Sequence, residues 1–140
     1  MLVELEQIVQ LYSPFVGTHE VAGFDEKSRI TIPKPLIEIL QERQKIEEKG
    51  AIKLYYRIHS KETPQHLELT DYFPDGEHTE FWAYNRIKID RSGRILVPQD
   101  NLAKLGIQKH DPSAKSKDII FEGSGHKILI YKTDDYPRDT

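Results

Sequence analysis

Cysteine is absent from this 140-residue sequence, which excludes a disulfide framework and a thiolate metal site. Long apolar runs are absent as well, since no stretch approaches the roughly 18 apolar residues that a membrane-spanning helix needs. The N-terminal segment 1–6 carries acids where a secretory signal peptide would carry bases. These absences predict a cytoplasmic protein with no membrane partner.

Motifs that carry catalysis are also missing. The sequence contains no Gly-x-Ser-x-Gly elbow and no phosphate loop before a Lys-Ser/Thr pair. Gly123-Ser124-Gly125 could hold a nucleophile, but the apolar strand-like segments on both sides favour a hairpin turn. We therefore expect no enzyme, no catalytic residue, no cofactor and no small-molecule substrate.

The six histidines are scattered, and none of them forms a pair at helical metal-ligand spacing. His66 and Glu68 share one face of a predicted strand, where they could act as ligands or as a general-base pair. An exposed polar strand face is the alternative, and we favour it. The sequence accordingly predicts no metal site.

Charge is distributed unevenly along the chain, whose formal net charge is −3. Residues 62–80 hold six acids and no Lys or Arg, whereas residues 81–117 hold eight bases against three acids. Such an asymmetry lets one face attract phosphate while the whole chain stays acidic. An ordinary solvated surface is the other interpretation of the same pattern.

An internal repeat organises the sequence. Phe24-Asp-Glu-Lys-Ser-Arg-Ile-Thr-Ile-Pro33 is matched by Ile89-Asp-Arg-Ser-Gly-Arg-Ile-Leu-Val-Pro98, with Asp, Arg, Ile and Pro recurring at an offset of 65 residues. A charged turn between apolar strands therefore occurs twice. We predict two copies of a strand–turn–strand–helix–hairpin unit that pack together around one shared core.

The hydrophobic pattern divides the chain into five segments. These are an amphipathic helix within 1–14, a first unit at 15–72, a linker at 73–80, a second unit at 81–132 and a polar tail at 133–140. In the first unit, a helix should begin after Pro33 and run to about Lys49, with Gly50 as its left-handed cap. The predicted fold class is α+β.

The repeated turn brings an acid and an arginine together. Asp25 can accept backbone N–H bonds and pair with Arg29. Asp90 and Arg94 can do the same in the second copy. Arginine suits phosphates and guanine edges, and a two-stranded ribbon fits the DNA major groove. A braced turn without a ligand is the alternative. Further cations near these turns are Lys27, Lys34, Arg86, Lys88 and Arg91.

The stretch from Phe15 to Pro33 resembles the start of MraZ proteins, which are repressors of the bacterial division and cell-wall gene cluster within the AbrB/MazE-like superfamily. The segments Ile89–Pro98 and Lys117–Gly123 are similar to the family too. The family marks each half with Asp-x-x-x-Arg, a pattern met here by Asp25/Arg29 and Asp90/Arg94. Ser28 departs from the pattern, because the family usually has Gly at that position.

The resemblance implies two tandem AbrB-like units forming a pseudo-symmetric β-barrel-like core from swapped or interleaved hairpins. It also implies a nucleoid-associated repressor that forms homo-oligomers and binds double-stranded DNA sequence-specifically. Carried over by position, Lys27, Arg29, Arg91 and Arg94 would face DNA. Asp25 and Asp90 would brace the turns.

A protein-interaction module is the second hypothesis. MazE-like antitoxins share the swapped-hairpin fold, but they usually carry one copy and a disordered tail that wraps a partner. Here the unit is duplicated and only nine residues follow Tyr131. This arrangement favours a stand-alone regulator over an antitoxin.

Overall fold

The computed structural model of the chain describes residues 14–21, 27–62, 64–71, 84–106, 119–133 and 136. The predicted N-terminal helix, the predicted linker and Asp25 lie outside these residues. Within them the chain is α+β, with a mostly antiparallel sheet and few helices. The predicted fold class is confirmed at this level.

The described elements follow one another in the same order in both halves. The strands are β1 (Thr18–Val21), β2 (Arg29–Thr31), β3 (Leu54–His59), β4 (His66–Thr70), β5 (Asn85–Ile87), β6 (Arg94–Leu96), β7 (Ile119–Ser124) and β8 (Lys127–Lys132). The helices are α1 (Lys34–Gln44) and α2 (Gln99–Lys104), with a 3-10 turn at Lys49–Ala51. Neither described α-helix has the length and apolar character needed to cross a bilayer.

The two halves interleave in a six-stranded antiparallel sheet. Its strand order is β1-β7-β8-β4-β3-β5. β1 of the first half pairs with β7 of the second, and β5 of the second half pairs with β3 of the first. β4 and β8 join the halves at the centre of the sheet. The order is thus symmetric about that centre.

The prediction of a β-barrel-like core is wrong for the described residues. A sheet closes only when its two edge strands pair with each other, whereas β1 and β5 lie at opposite edges of this sheet. Both edge strands are short, with four residues in β1 and three in β5. The sheet therefore stays open, and the identity of its halves as AbrB-like units remains a prediction.

A separate two-stranded ribbon forms where the repeated segments meet. β2 pairs antiparallel with β6, and Ile30 lies opposite Ile95 at the centre. The Ile32 N–H donates to the Gly93 carbonyl at 2.9 Å, and the Val97 N–H donates to the Ser28 carbonyl at 3.3 Å. The two bonds are equivalent, because the 65-residue offset relates Ile32 to Val97 and Ser28 to Gly93. The β2–β6 ribbon is therefore the second place where the halves meet as equivalents.

One hydrophobic core unites both halves. Ile30 and Ile95 of the ribbon are almost wholly buried, and so are Ile32 and Val97, two residues further along each segment. Strand and helix residues of both repeats belong to the same cluster. Full burial of one such aliphatic side chain contributes roughly 1.5–3 kcal/mol. Because this cluster draws on both repeats, separating them would expose much of it.

Helix α1 begins after Pro33 as predicted, but it ends at Gln44 rather than near Lys49. Lys45 adopts a left-handed conformation with φ of 56° and terminates the helix. The Gln44 side chain explains the early end, since its amide bonds both the N–H and the carbonyl of Lys53 at 2.8 Å. Gly50 lies in the following 3-10 turn instead of capping the helix.

Candidate nucleic-acid interface

The second charged turn is held by one carboxylate. Asp90 Oδ1 accepts the backbone N–H groups of Ser92 and Arg94 at 2.8 and 3.0 Å. Its Oδ2 accepts the Nε–H of Arg94 at 2.8 Å. The Gly93 N–H closes the turn by donating to the Asp90 carbonyl at 3.0 Å. Both the turn and the direction of the Arg94 side chain depend on this carboxylate.

These bonds favour the ionised form of Asp90. Desolvation alone would raise the pKa of the carboxyl. The backbone bonds from Arg94 and Ser92, followed by the Arg94 guanidinium, outweigh it and lower the pKa below its ordinary value. The Arg94 side chain keeps 31 % of its surface exposed. The brace thus orients the guanidinium and leaves part of it accessible.

Both turns use a left-handed residue at the same position. Gly93 has φ of 80°, and Ser28 of the first turn has φ of 63°. Ser28 therefore adopts a backbone conformation that a residue with a side chain rarely takes. Its buried hydroxyl accepts a hydrogen bond from the Gln99 side-chain amide at 3.1 Å. This contact ties the first turn to the start of α2.

The β2–β6 ribbon presents one outward face. Arg29 lies opposite Leu96 and Thr31 lies opposite Arg94. Directly paired residues share a face in an antiparallel ribbon, and the intervening Ile30 and Ile95 face the core. The outward face therefore carries Arg29, Thr31, Arg94 and Leu96. Arg29 and Arg94 are diagonal neighbours across the two strands, and residues in this relationship are separated by about 7–8 Å.

The other predicted cations lie outside the two strands of the ribbon. Arg91, in the second turn, has a side chain that is 90 % exposed, and its Nε lies 3.8 Å from a carboxylate oxygen of Glu48. Lys27 precedes β2, and Lys34 opens α1. Arg86 lies on edge strand β5 opposite Tyr55, and Lys88 follows that strand. All of these lysines and arginines are exposed.

Two residues of the outward face were not among the sequence-based candidates. Thr31 is exposed, and Leu96 exposes 58 % of its surface. The period of two along a strand, with Ile30 and Ile95 inward, is the signal that identifies them. The sequence alone does not single out Leu96, because an aliphatic residue in a strand is usually assigned to the core.

The expectation of an exposed polar face at His66 and Glu68 is wrong. Glu68 is only 2 % exposed. Its carboxylate accepts hydrogen bonds from the Tyr84 hydroxyl and from His59 Nε2, the latter at 2.9 Å. Burial would raise the pKa of Glu68, but these bonds and the nearby Lys127 ammonium lower it below its ordinary value. Glu68 therefore remains ionised inside a polar cluster.

The chain was also compared with known proteins. No family model matches it. It is 28 % identical over 132 residues to the transcriptional regulator MraZ of Chlorobium phaeobacteroides (strain BS1), an alignment that covers 84 % of this chain and 82 % of that protein. This similarity confirms the resemblance to MraZ regulators that the repeated Asp-x-x-x-Arg segments predict.

Proposed function

We propose that this chain is a sequence-specific DNA-binding transcriptional regulator, acting as a repressor rather than as an enzyme. In this proposal the outward face of the β2–β6 ribbon enters the major groove. Similarity to a transcriptional regulator supports the general function. The observation that carries the DNA-binding surface is the register of β2 and β6, which gives Arg29 and Arg94 a common outward face.

The dimensions and chemistry of the ribbon suit a major groove. The groove of B-DNA admits a two-stranded β-ribbon, and arginine reads the O6 and N7 acceptors of guanine with two hydrogen bonds. Thr31 can donate or accept at base edges, and Leu96 can pack against a thymine methyl group. The outward face thus offers two guanidinium groups and one hydroxyl that can form hydrogen bonds with bases, and one aliphatic side chain for apolar contact.

The exposed cations beside the ribbon would contact the phosphates. Lys27 and Arg91 belong to the two turns, Lys34 opens α1, Arg86 lies on β5 and Lys88 follows β5. Each phosphate that a protein neutralises contributes about 0.9 to the slope of log K against log salt. Such contacts supply affinity and register, whereas Arg29 and Arg94 supply sequence preference.

The duplicated unit also suggests how several copies of the chain would assemble on DNA. A duplicated scaffold with two arginine-bearing turns reads one short DNA segment, so a homo-oligomer would align several ribbons along a repeated operator. We further propose that the division at residues 73–80 separates two equivalent units. A cytoplasmic, nucleoid-associated location follows from binding to chromosomal DNA.

The test begins with purified full-length chain and fragmented genomic DNA of its source. Bound fragments are recovered and sequenced, and their sequences are aligned to find the operator that they share. Arg29→Ala and Arg94→Ala should each weaken operator binding by roughly 10–100-fold, corresponding to about 1–3 kcal/mol for a base contact. Lys61→Ala serves as the matched control, because Lys61 is an exposed cation on the β3–β4 loop.

Three results would contradict the proposal. One is recovery of no common sequence from the fragments. A second is equal binding by wild type, Arg29→Ala and Arg94→Ala at unchanged melting temperature. The third is a loss of binding in Lys61→Ala as large as that in the ribbon variants, since the ribbon would then have no special part in recognition.

A protein-interaction function is the second candidate, and exposure of Leu96 favours it. A large aliphatic side chain at 58 % exposure beside Arg29 could pack against a protein partner. Leu96→Ser separates the candidates. A DNA regulator loses discrimination at one base position, whereas an interaction module loses its protein partner and shows no DNA-sequence preference at all.

A further inference from the structure

The β3–β4 hairpin gathers three metal-binding side chains at one end. His59 and His66 lie opposite each other in the strand register, and Glu62 lies in the loop between them. One ligand atom from each of the three residues lies within 4.8 Å of the other two. The two imidazole rings are stacked, with centroids 4.5 Å apart. We call His59, Glu62 and His66 the hairpin triad.

The remaining ring nitrogens are already engaged, which fixes the orientation of both histidines. His66 Nδ1 lies 3.1 Å from the Pro64 carbonyl, an acceptor only, so Nδ1 must donate the proton. His59 Nε2 lies 2.9 Å from the buried, ionised Glu68 and donates to it in the same way. These outer partners leave His66 Nε2 and His59 Nδ1 facing Glu62.

This arrangement is the one that metal-ligating histidines use. Such a histidine donates its second ring N–H to a carboxylate or to a backbone carbonyl, which orients the ring and strengthens the ligand. Here one histidine has the carboxylate and the other has the carbonyl. An ordinary hydrogen-bonded cluster accounts less well for His66, because its Nε2 lies 3.9 Å from Glu62 Oε2, beyond hydrogen-bond distance.

We propose that the hairpin triad binds one divalent transition metal of the Zn²⁺ class. His59 Nδ1, His66 Nε2 and the Glu62 carboxylate are the three protein ligands, and water occupies the fourth position. Two imidazoles and one carboxylate suit Zn²⁺ and Co²⁺, whereas Mg²⁺ and Ca²⁺ prefer oxygen ligands alone.

The three ligand atoms, now within 4.8 Å of one another, must move closer to share one ion. Ligand atoms on a tetrahedral Zn²⁺ lie about 3.3 Å apart, given Zn–N and Zn–O bonds of about 2.0–2.2 Å. His59 Nδ1 is already 3.0 Å from Glu62 Oε1. The side chain of Glu62 is 60 % exposed, so it can turn toward the metal, while both histidine side chains are only 12 % exposed. The two stacked rings must also turn so that both nitrogens point at one ion, because an imidazole nitrogen binds a metal in its ring plane. Glu62 then closes the site.

The test uses the full-length chain stripped of metal by a chelator and titrated with Co²⁺, then with Zn²⁺ as competitor. We expect one Co²⁺ per chain with the visible absorption of tetrahedral coordination, displaced by one equivalent of Zn²⁺. Glu62→Gln and His66→Gln should lose this absorption and bind at least about 10-fold more weakly. Both positions lie at the hairpin end, and circular dichroism checks that the variants fold.

His19→Gln is the control, since His19 lies on edge strand β1 outside the triad, and it should bind as wild type does. The proposal is overturned if wild type takes up no Co²⁺. It is equally overturned if folded Glu62→Gln and His66→Gln bind Co²⁺ with wild-type affinity and absorption, because adventitious binding elsewhere would then explain the signal. Since no DNA is present, the outcome does not depend on the proposed regulatory function.

Discussion

Arg43 and Asp71 form an ion pair in which both side chains are completely excluded from solvent. The contact has two parallel arms, Nη2 to Oδ1 at 2.8 Å and Nε to Oδ2 at 3.0 Å. The guanidinium also lies 4.5 Å from the centre of the Phe15 ring. Helix α1, the end of β4 and the segment before β1 are therefore fastened at one point.

Breaking the Arg43–Asp71 pair should lower the free energy of unfolding strongly. Asp71→Ala leaves a buried guanidinium without its partner, so we expect the free energy of unfolding to fall by about 3–5 kcal/mol. The double variant Arg43→Met/Asp71→Leu removes both charges and should recover most of that loss. Urea unfolding of the single and double variants measures the coupling. A single-variant loss below about 1 kcal/mol would contradict the burial argument.

Local pattern explains which parts of this fold could be predicted from sequence. The 65-residue repeat indicated β2, β6 and the helices after Pro33 and Pro98, because alternation and proline placement act over a few residues. The early end of α1 was not predictable in this way. It depends on Gln44 bonding Lys53 across a turn, and local helix signals carry no information about that contact.

The candidate site shows the same division between local and long-range information. The Asp90–Arg94 spacing pointed to a braced turn, since both residues belong to one short segment. Which residues share a face with Arg94 depends on the pairing of β2 with β6, strands that lie 65 residues apart in sequence. The meeting of His59 with His66 likewise required the β3–β4 register.

Substitution should destabilise the protein more at the second left-handed turn position than at the first. Gly93→Ala places a Cβ on a residue with φ of 80°, which should cost about 1–2 kcal/mol. Ser28→Gly relieves that strain in the first turn but loses the Gln99 hydrogen bond and adds chain entropy, so we expect a net change within about 1 kcal/mol. Thermal unfolding of both variants is the measurement. Equal destabilisation would refute a shared turn conformation.

Asp90 should make stability depend on pH. Its pKa is lowered from the ordinary 3.8 in the folded chain, so the stabilisation is present above that value and is lost as pH falls through the folded pKa. Asp90→Ala should therefore cost about 1 kcal/mol at neutral pH, a figure already reduced for solvent exposure. Unfolding of both proteins from pH 7 down to about pH 2 should show the difference vanishing. A pH-independent difference would contradict this assignment.

The Tyr84 hydroxyl should titrate at a pH above the ordinary range of a tyrosine. Burial and then the Glu68 carboxylate raise its pKa from 10.0 to about 12. The folded chain thus favours the neutral phenol, and the associated stabilisation is present below the unfolded pKa and lost as pH rises through the folded value. Absorbance titration of tyrosinate in wild type and Tyr84→Phe isolates the group. If the step missing from the titration of Tyr84→Phe has a pKa near 10.0, the ordinary value for tyrosine, the prediction is wrong.

Arg94→Lys distinguishes base reading from phosphate neutralisation within the proposed interface. Lysine keeps the charge but loses the planar fork that Asp90 holds and that guanine requires. We expect operator affinity to fall by about 1–3 kcal/mol while the salt slope stays unchanged. Arg91→Ala should instead lower the slope by about 1 and weaken operator and random DNA alike. Titrations at several salt concentrations provide both quantities. If Arg94→Lys retains full discrimination between operator and random DNA, Arg94 is a phosphate contact and sequence reading must lie with other residues of the ribbon.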